Sequence, residues 1–199
     1  MRKALQHLKN ADPVMGGLIG RIGPYRIEYL EPGFATLAKA IVYQQLSGQA
    51  ALAIYNRLER ALGVVAPERV LKLSTQRMRA LGLSQQKISY LRDLAHRSRQ
   101  GSLDFSALQR MEDHAVIETL TQVKGVGVWT AQMFLIFALR RPDVLPAADL
   151  GIRAAIRKAY ALERMPTPGE VNQRGLCWRP YASVASWYLW RSLESKAGL

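Results

Sequence analysis

The residues best placed to do chemistry are Asp149 and the turn Gly125-Val126-Gly127, which a single apolar helix and a loop separate. Glycine adopts positive φ freely, so two glycines one residue apart allow a very tight reversal between helices. Such a turn directs several backbone N–H groups outward at the start of the next helix, where the helix dipole also favours negative charge. The turn therefore predicts a phosphate-binding site with a carboxylate nearby.

Asp149 directly precedes a segment with helical periodicity, which is the position of a helix N-cap. From the local sequence alone, capping is the simpler interpretation, and it contributes about 0.5–2 kcal/mol. Capping does not exclude chemistry, because the dipole favours a negative charge at this end of a helix. A carboxylate anion can stabilise an oxocarbenium-like sugar and orient an attacking water, as glycosidic cleavage requires. Asp143, in the same loop, is interpreted as a turn former.

The elements that must position these residues are helices, because apolar residues recur at helical spacing and no useful strand alternation appears. Predicted helix starts are marked by capping polar residues or by first-turn prolines, at Asp12, Ser47, Pro67, Ser74, Ser84, Asp149, Pro168 and Pro180. Residues 25–30 can form a short edge strand, residues 103–108 form a connector, and the last helix ends near Ser195. The segment from Ala131 to Leu139 is apolar nearly all round, which is typical of a central buried helix. The predicted fold class is all-α.

The charge of the chain indicates an acidic partner. The 199 residues carry a net charge of +13, and residues 69–100 contain eight cations with Asp93 as the single acid. Nucleic acid fits this pattern better than a membrane surface, because no strongly amphipathic anchor segment is present. The alternative interpretation is a generic solvated basic face. The length suffices for one domain, or for one domain with two lobes.

Several classes of protein are disfavoured. No apolar run approaches twenty residues, and the N-terminus lacks the apolar core of a signal peptide. We therefore expect neither a membrane-spanning protein nor a secreted one. Cys177 is the single cysteine, which excludes an internal disulfide and a four-thiolate iron–sulfur cluster. The three histidines share no metal-ligand spacing, so we expect no catalytic metal and no cofactor. The expected location is the cytoplasm (with the nucleoid in a bacterium) or the nucleus of a eukaryote.

The residues from Gly125 to Ala131, with Asp149 following, resemble the helix-hairpin-helix superfamily of DNA glycosylases. Within it, the chain most resembles alkylpurine glycosylases of the 3-methyladenine DNA glycosylase II type. Two further segments match, Ile41-Val42-Tyr43-Gln44-Gln45-Leu46-Ser47 and Trp178-Arg179-Pro180-Tyr181 running to Trp187-Tyr188-Leu189-Trp190. The resemblance implies two helical lobes with the active-site cleft between them. One lobe is about 34–140, with the hairpin at about 113–140, and the other combines about 1–33 with 141–199.

The resemblance also implies an activity. It is that of a monofunctional base-excision-repair glycosylase, which flips 3-methyladenine or 7-methylguanine out of double-stranded DNA and hydrolyses the N-glycosidic bond. Asp149 matches the catalytic aspartate of the family, and Trp129 and Trp190 match residues that line the base pocket. An alkylated purine is cationic, so stacking on indole gains cation–π attraction. Met133 and Tyr43 are further substrate-binding candidates, where the family commonly has an aromatic and a small residue.

The resemblance assigns DNA contacts as well. Gln45 matches the plug that fills the gap left by the flipped nucleotide, and Leu46 is the alternative wedge. The phosphate-binding positions of the family fall on Gly125, Gly127 and Thr130. Lys124 and Lys87 are cations that we expect to contact DNA. The backbone carbonyls of the hairpin can hold a structural Na⁺ or K⁺, and these are the carbonyls of Thr121, Val123 and Val126.

Position 129 separates activities within the superfamily. Members with lyase activity carry there a lysine that forms a Schiff base with the sugar, whereas this chain has Trp129. We therefore expect no lyase activity, and an oxidised-base glycosylase is disfavoured. The alternative function is a non-enzymatic helix-hairpin-helix protein that binds DNA or senses damage, since the hairpin recurs in many proteins. A monomer is expected.

Overall fold

The computed structural model describes residues 1–194, and every regular element in this range is a helix. In chain order the α-helices are α1 (Arg2–Ala11), α2 (Pro13–Ile22), α3 (Phe34–Tyr43), α4 (Gly48–Leu62), α5 (Pro67–Lys72), α6 (Thr75–Ala80), α7 (Gln85–Arg99), α8 (Phe105–Leu108), α9 (Asp113–Thr121), α10 (Val128–Phe137), α11 (Leu150–Ala159), α12 (Pro168–Gly175) and α13 (Ala182–Glu194), with a 3-10 turn at Leu176–Trp178. The all-α prediction is confirmed. In this part of the chain, no helix is long and apolar enough to span a membrane.

The predicted capping residues begin their helices. The hydroxyls of Ser47, Ser74 and Ser84 each accept a backbone N–H three residues on, at 3.1–3.4 Å. Pro67 and Pro168 stand at the first position of their helices, where the missing N–H costs nothing. The start of α12 is stabilised further by a capping box between Thr167 and Glu170, which the sequence analysis missed.

Other boundaries differ from the prediction. Residues 25–30 are extended but form no strand, and the connector at 103–108 contains α8. Helix α13 begins at Ala182, two residues after Pro180. Its predicted end near Ser195 lies outside the described residues. The hairpin was expected to reach about residue 140, but its second helix, α10, ends at Phe137, because Arg140 adopts φ +57° and Arg141 donates its N–H back to the carbonyl of Leu135 at 2.9 Å.

The chain divides into two compact units. The terminal unit comprises Met1–Tyr29 and Leu135–Leu199, and the central unit comprises Leu30–Phe134. The boundary at residues 134–135 therefore falls inside α10. The resemblance placed the corresponding limits at Phe34 and Arg140.

The terminal unit is built around α13, whose residues 182–189 are all buried. Its core also contains Trp178 and a buried carboxylate, Asp12, which is 6% exposed. Asp12 accepts the N–H groups of Val14 and Met15 on one oxygen, and the Tyr160 hydroxyl and the Trp178 indole N–H on the other. Burial by itself raises the pKa of Asp12, but these hydrogen bonds outweigh burial and lower it.

Asp12→Asn is expected to lower the free energy of unfolding by about 2–4 kcal/mol at neutral pH. Both carboxylate oxygens of Asp12 accept hydrogen bonds, and asparagine would replace one of them by an NH₂ group, which donates and would therefore face the donors that the oxygen had paired. The pKa of Asp12 in the folded protein is below its ordinary value of 3.8. The stabilisation that the Asp12 carboxylate provides is therefore complete above about pH 4, and it is lost as the pH falls through the pKa of the folded state. Urea unfolding at several pH values measures it. Asp104→Asn is the control, since Asp104 is an exposed cap with one bond to Ser106. Equal losses in both variants would contradict the argument.

The central unit buries the apolar sides of α3, α4 and α7, with Leu37, Ile41, Leu58, Ile88, Leu91 and Leu94 almost fully enclosed. Several of its cations bond to backbone carbonyls near the ends of neighbouring helices. Arg57 donates to Leu81, Arg69 to Leu62 and Arg92 to Leu73, at 2.5–3.3 Å. A cation at this end of a helix is favoured by the dipole. Part of the positive charge therefore stabilises the fold.

Candidate functional site

Asp149 caps α11 in the terminal unit and is held by two N–H groups from different helices. Its Oδ1 accepts the backbone N–H of Ile152 at 2.7 Å and the indole Nε1–H of Trp190 at 2.9 Å. The predicted cap is thus confirmed, and Trp190, 41 positions along the chain, is the side chain that orients the carboxylate. Asp149 and Trp190 are both half-buried.

Two residues that the sequence analysis passed over shape this group. Phe137 stacks against the indole of Trp190, with 5.9 Å between the ring centroids and 25° between the ring planes. Phe137 was interpreted only as part of an apolar helix. A Cβ atom added at Gly151 would lie only 3.0 Å from Oδ1 of Asp149 and 3.2 Å from Cδ1 of Trp190. The absence of a side chain at this position lets the indole approach the carboxylate.

Gly151→Ala is expected to separate stability from function. Alanine is favoured over glycine inside a helix by about 1 kcal/mol, so thermal stability should not fall. The added methyl group displaces the Trp190 indole or the Asp149 carboxylate by a few tenths of an ångström, and a misplacement of this kind is expected to reduce the catalytic rate by about tenfold. Gly169→Ala is the matched control, because Gly169 holds the same second position in α12 and a Cβ there would lie 3.9 Å from its nearest neighbour, Oγ1 of Thr167. Unchanged activity in Gly151→Ala would contradict the tight fit.

The predicted hairpin consists of α9, the turn at residues 122–127 and α10. Gly125 adopts φ +79° and lies on the ring of Tyr90, where a Cβ would come within 2.1 Å of Cδ2. Gly127 has open space around it and no positive φ. The turn therefore needs glycine at position 125, whereas the backbone imposes no such demand at 127. The hairpin turn leads directly into the start of α10, and a helix start suits phosphate because it presents backbone N–H groups and the positive end of the helix dipole.

The other residues predicted near the hairpin differ in exposure. Trp129 is 48% exposed at the start of α10, and Lys124 is also exposed. Thr130 is buried, and Met133 is half-buried one turn after Trp129. Val123 is buried, and its carbonyl already accepts the N–H of Val126 at 3.0 Å.

The predicted wedge lies in the turn at residues 44–47, between α3 and α4. Gln45 is exposed and adopts φ +56°, and Leu46 is 40% exposed. Lys87, expected at DNA, donates from Nζ to the carbonyls of Val42 and Gln44 at 2.6 and 2.8 Å. Tyr43 packs edge-on against Tyr55, and the Lys39 ammonium lies over both rings.

The predicted residues thus fall into two groups. The terminal unit brings together Asp149 and Trp190. The central unit contains the candidates for DNA contact and the remaining candidates for the base, which are Tyr43, Gln45, Leu46, Lys87, Lys124, Gly125, Gly127, Trp129, Thr130 and Met133. Within the described residues, no cluster of three or more His, Cys, Asp or Glu side chains is arranged to hold a metal ion.

This fold, with a glycine hairpin in one unit and a capped aspartate in the other, corresponds to a known class. Residues 38–180 match the HhH-GPD superfamily of base excision DNA repair proteins, and the chain belongs to that superfamily.

Its relatives carry more specific names. The chain is 36% identical to DNA-3-methyladenine glycosylase 1 of Schizosaccharomyces pombe, over 96% of this chain and 87% of that protein. It is 34% identical to the putative DNA-3-methyladenine glycosylase YfjP of Bacillus subtilis, over 79% of this chain and 58% of that protein. Among solved structures, it is similar to the S. pombe 3-methyladenine DNA glycosylase Mag1 in complex with abasic DNA. That similarity has a TM-score of 0.86 and covers 96% of this chain and 97% of the other, at 36% identity.

Proposed function

We propose that this chain is a DNA glycosylase that extrudes alkylated purines from double-stranded DNA and hydrolyses their N-glycosidic bond. Support comes from its membership of the HhH-GPD superfamily and from relatives named as 3-methyladenine glycosylases. The observation that carries the proposal is the Asp149 carboxylate, fixed at the start of α11 by the N–H groups of Ile152 and Trp190. A helix cap needs only the bond from Ile152, whereas the bond from Trp190, on another helix, additionally fixes the orientation of the carboxylate.

The carboxylate would act on the sugar. As the C1′–N bond breaks, its electron pair moves to the cationic purine, which leaves as a neutral base. The sugar becomes oxocarbenium-like, and the Asp149 anion stabilises that charge. Water then adds to C1′ and loses a proton, which leaves an abasic deoxyribose. Because the alkylated base is already a good leaving group, no general acid is required.

The aromatic side chains would select the base. Trp129 presents an exposed indole, and a cationic purine gains cation–π attraction from such a ring. Trp190 would contribute both its ring and the hydrogen bond that orients Asp149. Met133 and Tyr43 would shape the rest of the base site, and methionine there suits a permissive pocket because its side chain adapts to irregular shapes.

The central unit would hold the duplex. Flipping a nucleotide costs a few kcal/mol, and the exposed Gln45 or Leu46 would occupy the vacated space. The backbone N–H groups at the start of α10 would bind a phosphate. The carbonyls of Thr121, Val123 and Val126 would supply oxygen ligands for a structural Na⁺ or K⁺, since the second lone pair of Val123 remains available beside its bond to Val126.

Survival of alkylated bacteria tests this function. A strain without its own alkylpurine glycosylases is transformed with the wild-type chain or with Asp149→Asn and treated with a methylating agent. The proposal predicts that only the wild-type chain restores survival. If both proteins restore survival, or if neither does although both are present in the cells at the same level, the non-enzymatic alternative would be favoured.

Borohydride should fail to trap a covalent complex between the chain and DNA. Trapping requires an amine that forms a Schiff base with the sugar, and position 129 holds tryptophan where lyase members carry lysine. The chain is incubated with methylated duplex and borohydride and is then separated by denaturing electrophoresis. A bifunctional glycosylase serves as the positive control. A shifted protein–DNA band from this chain would contradict the prediction.

A further inference from the structure

Helix α7 contacts both of the segments proposed to engage DNA in the central unit. Its apolar residues Ile88, Leu91, Leu94 and Ala95 are all buried, which anchors the helix in the core. Lys87, Tyr90 and Asp93 recur every three residues, so they project from one side of the helix and span about 9 Å along its axis. Each of the three contacts a different part of the turn at 44–47 or of the hairpin.

Lys87 holds the turn that carries the wedge. Its Nζ donates to the carbonyl of Val42, in the last turn of α3, and to that of Gln44, the C-cap of α3. Burial lowers the pKa of Lys87. The next residue, Gln45, adopts a left-handed φ that costs a non-glycine residue about 1–2 kcal/mol. The two hydrogen bonds from Lys87 secure the backbone directly before this strained residue.

Asp93 and Tyr90 hold the hairpin. Oδ2 of Asp93 accepts the backbone N–H of Lys124 and the Nε–H of Arg97, each at 2.9 Å. Burial raises the pKa of Asp93, but the bonds from Lys124 and Arg97 outweigh it and lower the pKa. The Tyr90 ring lies directly against Gly125.

A direct bond joins the wedge turn to the hairpin. The side-chain amide of Gln44 donates from Nε2 to the carbonyl of Gly125 at 2.8 Å. The contacts therefore form a closed circuit, from α7 through Lys87 to Gln44, on to Gly125 and back through Lys124 to Asp93. A closed circuit resists changes in the spacing of its members more strongly than a single contact does.

We infer that Lys87 and Asp93 are positioning residues, which fix the distance between the wedge turn and the phosphate-binding hairpin so that both engage one duplex without rearrangement. The inference rests on the proposed function and assigns to Lys87 a task other than phosphate contact. Ordering a loose turn during binding costs about 1–2 kcal/mol per residue, and a turn that is held beforehand avoids this cost. The benefit appears only where the wedge inserts, at a damaged or abasic site.

Two binding constants test the inference. Affinities of the full chain for an abasic-site duplex and for the same undamaged duplex are measured for the wild type, Lys87→Met and Lys72→Met. Lys72 is exposed on α5, so its substitution removes the same charge without touching the circuit. Lys87→Met is expected to weaken abasic-site binding by about tenfold, because the turn must then be ordered during binding, while binding to undamaged duplex falls no more than in Lys72→Met. Equal loss on both duplexes would mean direct phosphate contact and would overturn the inference, as would no loss on either.

Asp93→Ala removes the bond between α7 and the backbone of Lys124, which opens the same circuit at the hairpin. This variant replaces Lys87→Met in the experiment if Lys87→Met does not fold. It should reproduce the selective loss at the abasic site, and faster hydrogen exchange at the Lys124 amide should accompany that loss. Lys87→Arg, which keeps a donor at this position, should restore part of the selectivity. Binding to abasic duplex requires no turnover. A wild type that binds it selectively but releases no base would therefore refute the proposed function and leave this inference standing.

Discussion

Asp149→Asn is expected to lower the single-turnover rate of alkylpurine release by about 10²- to 10³-fold, because the neutral amide cannot stabilise the developing sugar cation. Asparagine caps a helix as well as aspartate does. Its Oδ1 can still accept the N–H groups of Ile152 and Trp190, so the fold and the position of the side chain should persist. Rapid-quench measurement with enzyme in excess over methylated duplex gives the rate, and thermal unfolding checks the fold.

Asp143→Asn is the matched control in the same loop. Asp143 accepts the N–H of Ala182 at 3.3 Å and lies 3.6 Å from Arg179, which are structural contacts. Its release rate should stay within about threefold of wild type, as expected for an exchange away from the reacting atoms. A loss in Asp143→Asn equal to that in Asp149→Asn would mean that the loop as a whole, and not the Asp149 charge, determines the rate.

Gly125→Ala is expected to cost about 2–5 kcal/mol of stability and to abolish tight duplex binding. Two effects combine. A left-handed φ costs an L-residue about 1–2 kcal/mol, and a methyl group forced against the Tyr90 ring adds about 1–3 kcal/mol of overpacking. For a chain of this size, the melting temperature should fall by roughly 5–15 °C. Thermal unfolding and affinity for an abasic-site duplex measure the two consequences.

The double variant Gly125→Ala with Tyr90→Ala separates the two effects. Removal of the ring relieves the steric conflict and leaves the φ penalty, so the added loss caused by the alanine should shrink to about 1–2 kcal/mol in that background. Gly127→Ala should leave the melting temperature unchanged, because its surroundings are open. A melting temperature for Gly125→Ala equal to wild type would contradict the packing seen at Tyr90.

The features of the site that could be predicted are those that depend only on residues adjacent in the sequence. The cap at Asp149 and the need for glycine at 125 follow from local backbone chemistry, and both are present. The hydrogen bond from Trp190 and the stacking of Phe137 join residues far apart in sequence, so no local pattern reports them. The role of Gly151 depends in turn on where Trp190 lies.

The basic segment shows the same limit. Its charge predicted a nucleic-acid partner, which agrees with the superfamily, but net charge does not reveal which cations face solvent. Arg69, Lys87 and Arg92 bond to backbone carbonyls of other segments. The end of the hairpin was also misplaced, at a residue other than glycine that adopts positive φ. Arg140 is such a residue, and the usual glycine signal is absent there.

The measurement that tests the central claim most directly is the identification of the product from methylated duplex DNA and the purified wild-type chain. Released bases are identified by liquid chromatography and mass spectrometry, and strand integrity is examined before and after hot alkali. The account predicts free 3-methyladenine and 7-methylguanine, with strand breaks only after alkali. Tight binding to the duplex with no free base released would contradict it and would leave a helical DNA-binding protein without glycosylase activity.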